Sequence, residues 1–287
     1  MKLQDRTFII SGGSSGLGLA TAATLLSQGS NVSLLDLNPP PSGISPLLTN
    51  PSRTLYTRTD VTSTASLQHA IDSTVSWISS YANAPLGGVI CCAGIGYGER
   101  ALPRQDPSSG KVKTMSIEGF DRVIAINLRG TVDLIRLALP HLAAVEGEGD
   151  DGERGVIVVV SSVAAYEGQI GQLAYSASKG AVAGIVLPLA REVGRTAGIR
   201  VVGVAPGVFQ TGMTVRPRNS PPDESGGEKK GLGVAERSGA NSGMVEYPMR
   251  MGRPEEFAEF VLGCIRNGMV NGSVYRLDGA VRMPSRL

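Results

Sequence analysis

Cysteine and histidine are scarce in this chain, as are long apolar runs and charge of one sign, and each scarcity removes a class of function. Only three cysteines occur in 287 residues, at positions 91, 92 and 264. That set makes no disulfide framework and no Cys-x-x-Cys pattern, so a reducing compartment is expected. Cys91 and Cys92 are adjacent inside an apolar run and read as small buried hydrophobes. Histidine is limited to His69 and His141, far apart in sequence, so no metal site is expected. The formal net charge is only +2, which argues against nucleic acid, an anionic membrane or any strongly acidic partner. No apolar run approaches the ~20 residues of a membrane-spanning helix. A strand pattern begins almost at once, at Thr7-Phe8-Ile9-Ile10, so no signal or transit peptide is expected.

What is present is a rhythm. Strand-like runs near 6–11, 31–36, 54–58, 87–92, 155–161, 199–205 and 273–277 alternate with helical patterns near 16–28, 64–80, 117–144, 173–194 and 254–266. Val156-Ile157-Val158-Val159-Val160 is apolar without alternation, as in a strand covered on both faces. The pattern predicts an α/β fold, a doubly wound (Rossmann) parallel sheet of about seven strands with helices on both faces. Its ligand site is expected at the carboxyl ends of the strands. Three segments break the rhythm: a proline-rich loop at 38–52, an acidic turn at 146–153 expected on the solvated surface, and a Gly/Pro/Ser-rich stretch at 216–247. No repeat or second core is visible. One catalytic domain over 1–287 is expected, with a substrate loop or lid at about 208–250.

After the first strand comes Ser11-Gly12-Gly13-Ser14-Ser15-Gly16-Leu17-Gly18, then a helical pattern from Leu19. Glycines here permit a tight turn and close approach of backbone to a pyrophosphate, which the helix N-terminus attracts. Strand before and helix after make this more than a turn. Asp36, ending the second strand, is placed to accept from a ribose 2′-hydroxyl and to repel a 2′-phosphate, which favours NAD over NADP. Asp60-Val61 closes the third strand, where it would hold the adenine edge; capping the helix near Thr64 is its plainer reading. Cys92-Ala93-Gly94 ends the fourth, with side chains small enough for a dinucleotide to lie against them.

The chemistry clusters from Ser162 to Lys179. Tyr175 and Lys179 stand i and i+4 on a helical pattern and share a face. A tyrosine with a pKa of about 10 is a poor base at neutral pH. An ammonium one turn away favours its phenolate and makes it a usable acid/base. Ser162 ends a buried strand, where its hydroxyl can orient a substrate oxygen. Asn127, polar between Ile126 and Leu128, is placed to hold a water linking the lysine to solvent.

Together these marks, with Pro206-Gly207, resemble the single-domain short-chain dehydrogenase/reductase family. The resemblance implies that Tyr175 is the acid/base and that Ser162 polarises the substrate oxygen. It also implies that Lys179 binds the ribose and lowers the tyrosine pKa, and that Asn127 completes a proton relay. In Pro206-Gly207-Val208-Phe209-Gln210-Thr211, Thr211 matches the residue on the nicotinamide side, with Pro206 and Phe209 lining the same place. The stretches Ser162–Gln169, Ala174–Gly180 and Arg276–Met283 further resemble a subgroup, the type 2 3-hydroxyacyl-CoA dehydrogenases, some of which also take hydroxysteroids. That likeness implies NAD as cofactor, a homotetramer, a small-molecule 3-hydroxyacyl-CoA substrate, and Gln169 near the substrate. One departure stands out: where the family has two asparagines before Ala-Gly, this chain has Cys91-Cys92. Ser285-Arg286-Leu287 is similar to the peroxisomal address Ser-Lys-Leu, so a peroxisome is expected, and otherwise the cytoplasm. Two rivals remain: a reductase of a steroid or other secondary-metabolite ketone, and a non-catalytic NAD-binding module.

Overall fold

The computed structural model describes residues 1–43, 46–102, 114–214 and 245–283. Residues 215–244 of the expected lid and the C-terminal tripeptide therefore fall outside the described residues. Seven strands form one sheet: β1 (Thr7–Ser11), β2 (Asn31–Asp36), β3 (Thr54–Arg58), β4 (Leu86–Cys91), β5 (Gly155–Val160), β6 (Ile199–Pro206) and β7 (Val274–Leu277). Their order is β3-β2-β1-β4-β5-β6-β7, and every pairing is parallel. Strand order therefore reverses between β1 and β4, which opens a crevice at their carboxyl ends.

Side chains alternate across a strand, so β1 feeds two cores. Phe8 and Ile10 enter a cluster with α1 (Gly16–Ser27) and α7 (Pro254–Arg266), whereas Ile9 enters one with α2 (Thr64–Trp77) and α4 (Gly130–Ala143). Burial on both faces is why these strands read as continuous apolar runs.

Two expected helices are interrupted. The pattern at 117–144 becomes α3 (Ile117–Ile124), one wide π-helical turn over Ala125–Arg129, and α4. Such turns often mark functional sites, and Asn127 lies in this one with no exposure. The pattern at 173–194 becomes α5 (Leu173–Gly184) and α6 (Val186–Ala197), parted at Ile185. Pro188 has no N–H to give the Gly184 carbonyl, which accounts for the break. By length and mean hydropathy of 1.3 the stretch Leu173–Ala197 passes as a membrane span. Here its buried face packs on the sheet and carries Tyr175 and Lys179.

The acidic turn at 146–153 lies at the surface as expected, with Glu146, Asp150 and Asp151 exposed, but two of its glutamates are tied to the protein. Glu148 pairs with Arg6 at 3.1 Å, and Glu153 pairs with the buried Arg200 at 2.7 Å. The Arg200 guanidinium also donates to the carbonyls of Cys264, Ile265 and Val270. These glutamates dock the turn on the ends of β1 and β6, because a buried guanidinium requires a counter-charge.

Candidate active site

A single cavity of about 480 Å³ runs along the carboxyl ends of the strands. At one end lies the glycine loop. Gly12 has φ +64°, and a Cβ there would stand 2.9 Å from the Ala93 backbone. A Cβ on Gly18 would lie 2.2 Å from the Gly12 carbonyl oxygen. Bare backbone is thus required at both positions. The α1 N-terminus has no capping side chain and no acid in its first turn, and the Ser14 hydroxyl is buried without a partner. Unspent donors at a helix start suit a pyrophosphate. The Asp36 carboxylate accepts the Ser14 N–H at 3.1 Å and the Asn38 N–H at 3.2 Å, which ties the end of β2 to the loop. These residues fit the adenosine and pyrophosphate of a dinucleotide.

At the other end the polar groups converge. Tyr175 and Lys179 are both buried on α5. Lys179 Nζ lies 5.9 Å from the centre of the Tyr175 ring and donates to the Val160 carbonyl at 2.8 Å. Burial holds the lysine pKa down at about 8. Burial also pushes the Tyr175 phenol up from its ordinary value, opposed by its hydrogen bond with Ser162. Ser162 Oγ accepts the Ala164 N–H at 3.1 Å, which fixes the hydroxyl on the short turn after β5. A Cβ on Gly94 would fall 3.4 Å from Lys179 Nζ and 3.2 Å from Asn127 Oδ1, so lysine and asparagine meet at this glycine. Asn127 clamps Ile95, accepting its N–H at 2.8 Å and donating to its carbonyl at 3.0 Å, and also donates to Ser178 Oγ at 3.1 Å.

The family model for the short chain dehydrogenases matches residues 6–221. This chain belongs to the short-chain dehydrogenase/reductase family. Human 3-hydroxyacyl-CoA dehydrogenase type-2 is 38% identical to it, over 96% of this chain and 94% of the relative. Ipsdienol dehydrogenase of Ips pini is 29% identical, over 98% and 99% of the two chains. The crystal structure of a 3-hydroxyacyl-CoA dehydrogenase type-2 from Mycobacterium avium aligns over the whole of both chains with a TM-score of 0.78 and 31% identity. The protein is an oxidoreductase that works with a nicotinamide cofactor, the class expected from its motifs.

Of the residues singled out in the sequence, the cavity gathers Gly12, Ser15, Gly16, Leu17, Gly18, Asp36, Asp60, Val61, Cys92, Ala93, Gly94, Ser162, Tyr175, Lys179, Pro206, Phe209 and Thr211. Three stand apart from its wall. Ser11 lies beneath the loop, its hydroxyl accepting the Ala93 N–H at 3.3 Å. Asn127 is behind Gly94, and Gln169 lines a neighbouring cavity. One Asp60 oxygen is committed to the Thr62 N–H and hydroxyl, and Ser63 rather than Asp60 caps α2. Cys91 packs in the core beside Ile9 and Val159, while Cys92 reaches the cavity with its thiol pushed up to about 12 by burial. Both are neutral thiols at physiological pH.

Gln172, Glu167, Met213 and Met283 also line the cavity and were not singled out. Gln172 had a usable signal, standing three residues before Tyr175 on the face that carries Lys179. Met283 ends a stretch that carries the family resemblance, but no local pattern put it at the site, because only the tertiary fold returns the chain there.

Proposed function

We propose that this protein is an NAD-dependent dehydrogenase of 3-hydroxyacyl-CoA thioesters. The observation that carries the reading is one continuous cavity with Asp36 at its nucleotide end and Ser162, Tyr175 and Lys179 at its other end. NAD, when bound, supplies the hydride acceptor. Asp36 selects it over NADP because its carboxylate repels a 2′-phosphate. Tyr175 takes the proton from the substrate hydroxyl, and Ser162 orients that oxygen. Lys179, with its pKa held at about 8, keeps most of its charge at neutral pH and stands 5.9 Å from the centre of the Tyr175 ring, where that charge favours the phenolate. Asn127 holds the strand exit after β4 against α5, so the proton path past Gly94 keeps its shape.

The thioester substrate is supported by the names of relatives matched over nearly their whole length. A second reading keeps the chemistry and changes the substrate to the alcohol or ketone of a secondary metabolite. It draws on Cys91 in place of the family asparagine and on a full-length relative named for ipsdienol. Two further parts rest on sequence alone: a homotetramer, and a peroxisomal location read from Ser285-Arg286-Leu287.

The test follows NADH absorbance with purified protein over a panel of 3-hydroxyacyl-CoA thioesters and unrelated secondary alcohols, with NAD and then with NADP. The expected result is turnover of the thioesters with NAD alone, lost by about a thousandfold in Tyr175→Phe while NAD binding persists. Turnover of other alcohols but of no thioester would transfer the assignment to the second reading.

A further inference from the structure

The nucleotide end of the cavity has a wall that its glycine loop and strand exits do not supply. It is one face of α3 and of the wide turn after it, where Arg122 and Ile126 line the cavity. A Cβ on Gly130 would stand 2.8 Å from the Val61 carbonyl oxygen, so this face lies directly against the exit of β3. Ile126 and Arg122 precede Gly130 by four and eight residues on the same stripe of the helix, which carries Arg122 outward from Val61. Arg122 is exposed there. Among the described residues it has no hydrogen bond and no ion pair. Glu118, one turn before it, is engaged with the Ser116 hydroxyl at 2.7 Å instead.

The surroundings narrow what an uncommitted guanidinium can do at this place. From the β2 side, Leu37 enters the same cavity as an apolar side chain, half exposed. Ile95, after β4, adds a second apolar surface. One Asp60 oxygen is spent on Thr62, whose bonds hold that carboxyl below its ordinary range, and the other is left as an anionic acceptor. Arg58, the other cation close to Asp60, lies outside the cavity wall. Apolar faces for a ring, an acceptor for an amino group and a planar cation together suit an aminated aromatic base.

We propose that Arg122 clasps the adenine of the bound dinucleotide, its guanidinium laid against the base opposite Leu37. Arg122 thus selects the base of the cofactor and takes no part in hydride transfer. Adenine is common to NAD and NADP, so the inference stands apart from the choice between them and from the identity of the substrate.

The test is binding, read by the fluorescence of reduced cofactors. NADH and reduced nicotinamide mononucleotide, which lacks the adenylyl half, are titrated onto the wild type and onto Arg122→Met. Methionine keeps an unbranched stem and a good helix propensity and loses the planar cation. The variant should bind NADH about two- to fivefold more weakly, the range of a cation–π contact at an exposed position. It should bind the mononucleotide as tightly as the wild type does. Adenosine and AMP, each competed against NADH, should both weaken by the same factor as NADH. A loss for AMP without one for adenosine would make Arg122 a phosphate contact. An equal loss for NADH and the mononucleotide would make it a support of the cavity as a whole. Either result overturns the proposal, and so does unchanged NADH binding.

Discussion

The two ends of the cavity are built by different means. The frame of the nucleotide end is β1, the glycine loop, α1 and the tip of β2, all within residues 7–36. The exits of β3 and β4, at Asp60-Val61 and Cys92–Gly94, and Arg122 of α3 complete its wall from farther along the chain. The contacts of the frame are backbone to backbone, and the Asp36 carboxylate works on a loop twenty-two residues away. The substrate end draws on segments more than a hundred residues apart. Glu167, just after the Ser162 turn, pairs with Arg276 of β7 at 2.6 Å and accepts the Met283 N–H at 2.9 Å. Arg276 also pairs with Asp278 at 2.6 Å and donates to the Val281 carbonyl at 2.8 Å. A cofactor common to a whole family suits a rigid local frame. A substrate that varies within it suits walls set by long-range side-chain contacts that can change independently.

The sharpest way to break the nucleotide end is Gly18→Ala. The new Cβ would stand 2.2 Å from the Gly12 carbonyl oxygen, a backbone atom that cannot swing aside as a flexible side chain can. The expected cost is about 3 kcal/mol, and over a hundredfold in NAD affinity, read by thermal melting and NADH titration. A variant with unaltered NAD binding would show that the loop is not a close-packed cradle. Next is Asp36→Ala, which should lower kcat/KM for NAD by about ten- to a hundredfold and raise that for NADP. The KM for the alcohol substrate should stay unchanged, since the two ends share no side-chain contact at Asp36.

The same contrast governs what could be read in the sequence. The strand positions, the glycine loop, Asp36 and the Tyr175/Lys179 pair were legible because each is a local pattern: apolar runs, or residues at loop or helical-turn spacing. The break at Ile185 was legible in principle through Pro188, but the apolar pattern continues across it and hides it. The docking of Glu148 and Glu153 was not legible, because an acidic glycine-rich turn looks solvated until Arg6 and Arg200 are known to face it. Glu167 and Met283 were missed for the same reason. Their roles depend on β7 lying beside β6, and nothing within a few residues of either one encodes that.

Glu167→Gln tests the substrate end. Its hydrogen bond with Arg276 is the main reason its carboxyl titrates below the ordinary carboxylate range. The ion pair therefore contributes fully above that range and is lost as pH falls through it toward the lowered value. The variant should raise substrate KM by about five- to tenfold with little change in KM for NAD. Wild-type substrate KM should drift toward the variant's value in acid. A change in NAD affinity instead would mean that the two ends are coupled.

The smallest effect is expected outside the cavity wall, at the start of α7. Arg250, four residues before α7, makes a two-point contact with Glu256 in the first turn of that helix, at 2.6 and 2.8 Å. Glu256 also accepts the Arg253 N–H at 2.8 Å, which closes the start of the helix. These bonds, the Arg250 pair first, hold its pKa at about 2. Both partners are more than a third exposed, so solvent screens most of what such a shift suggests. Glu256→Gln should cost less than about 1 kcal/mol at neutral pH. The difference in melting temperature from wild type should be present above the ordinary carboxylate range and vanish as pH falls toward 2. Because α7 packs on α1, stability and not substrate KM should register the change. If substrate KM moved instead, this segment would be acting on the substrate wall, and the division between a fixed nucleotide end and an adjustable substrate end would have to be drawn nearer to α1.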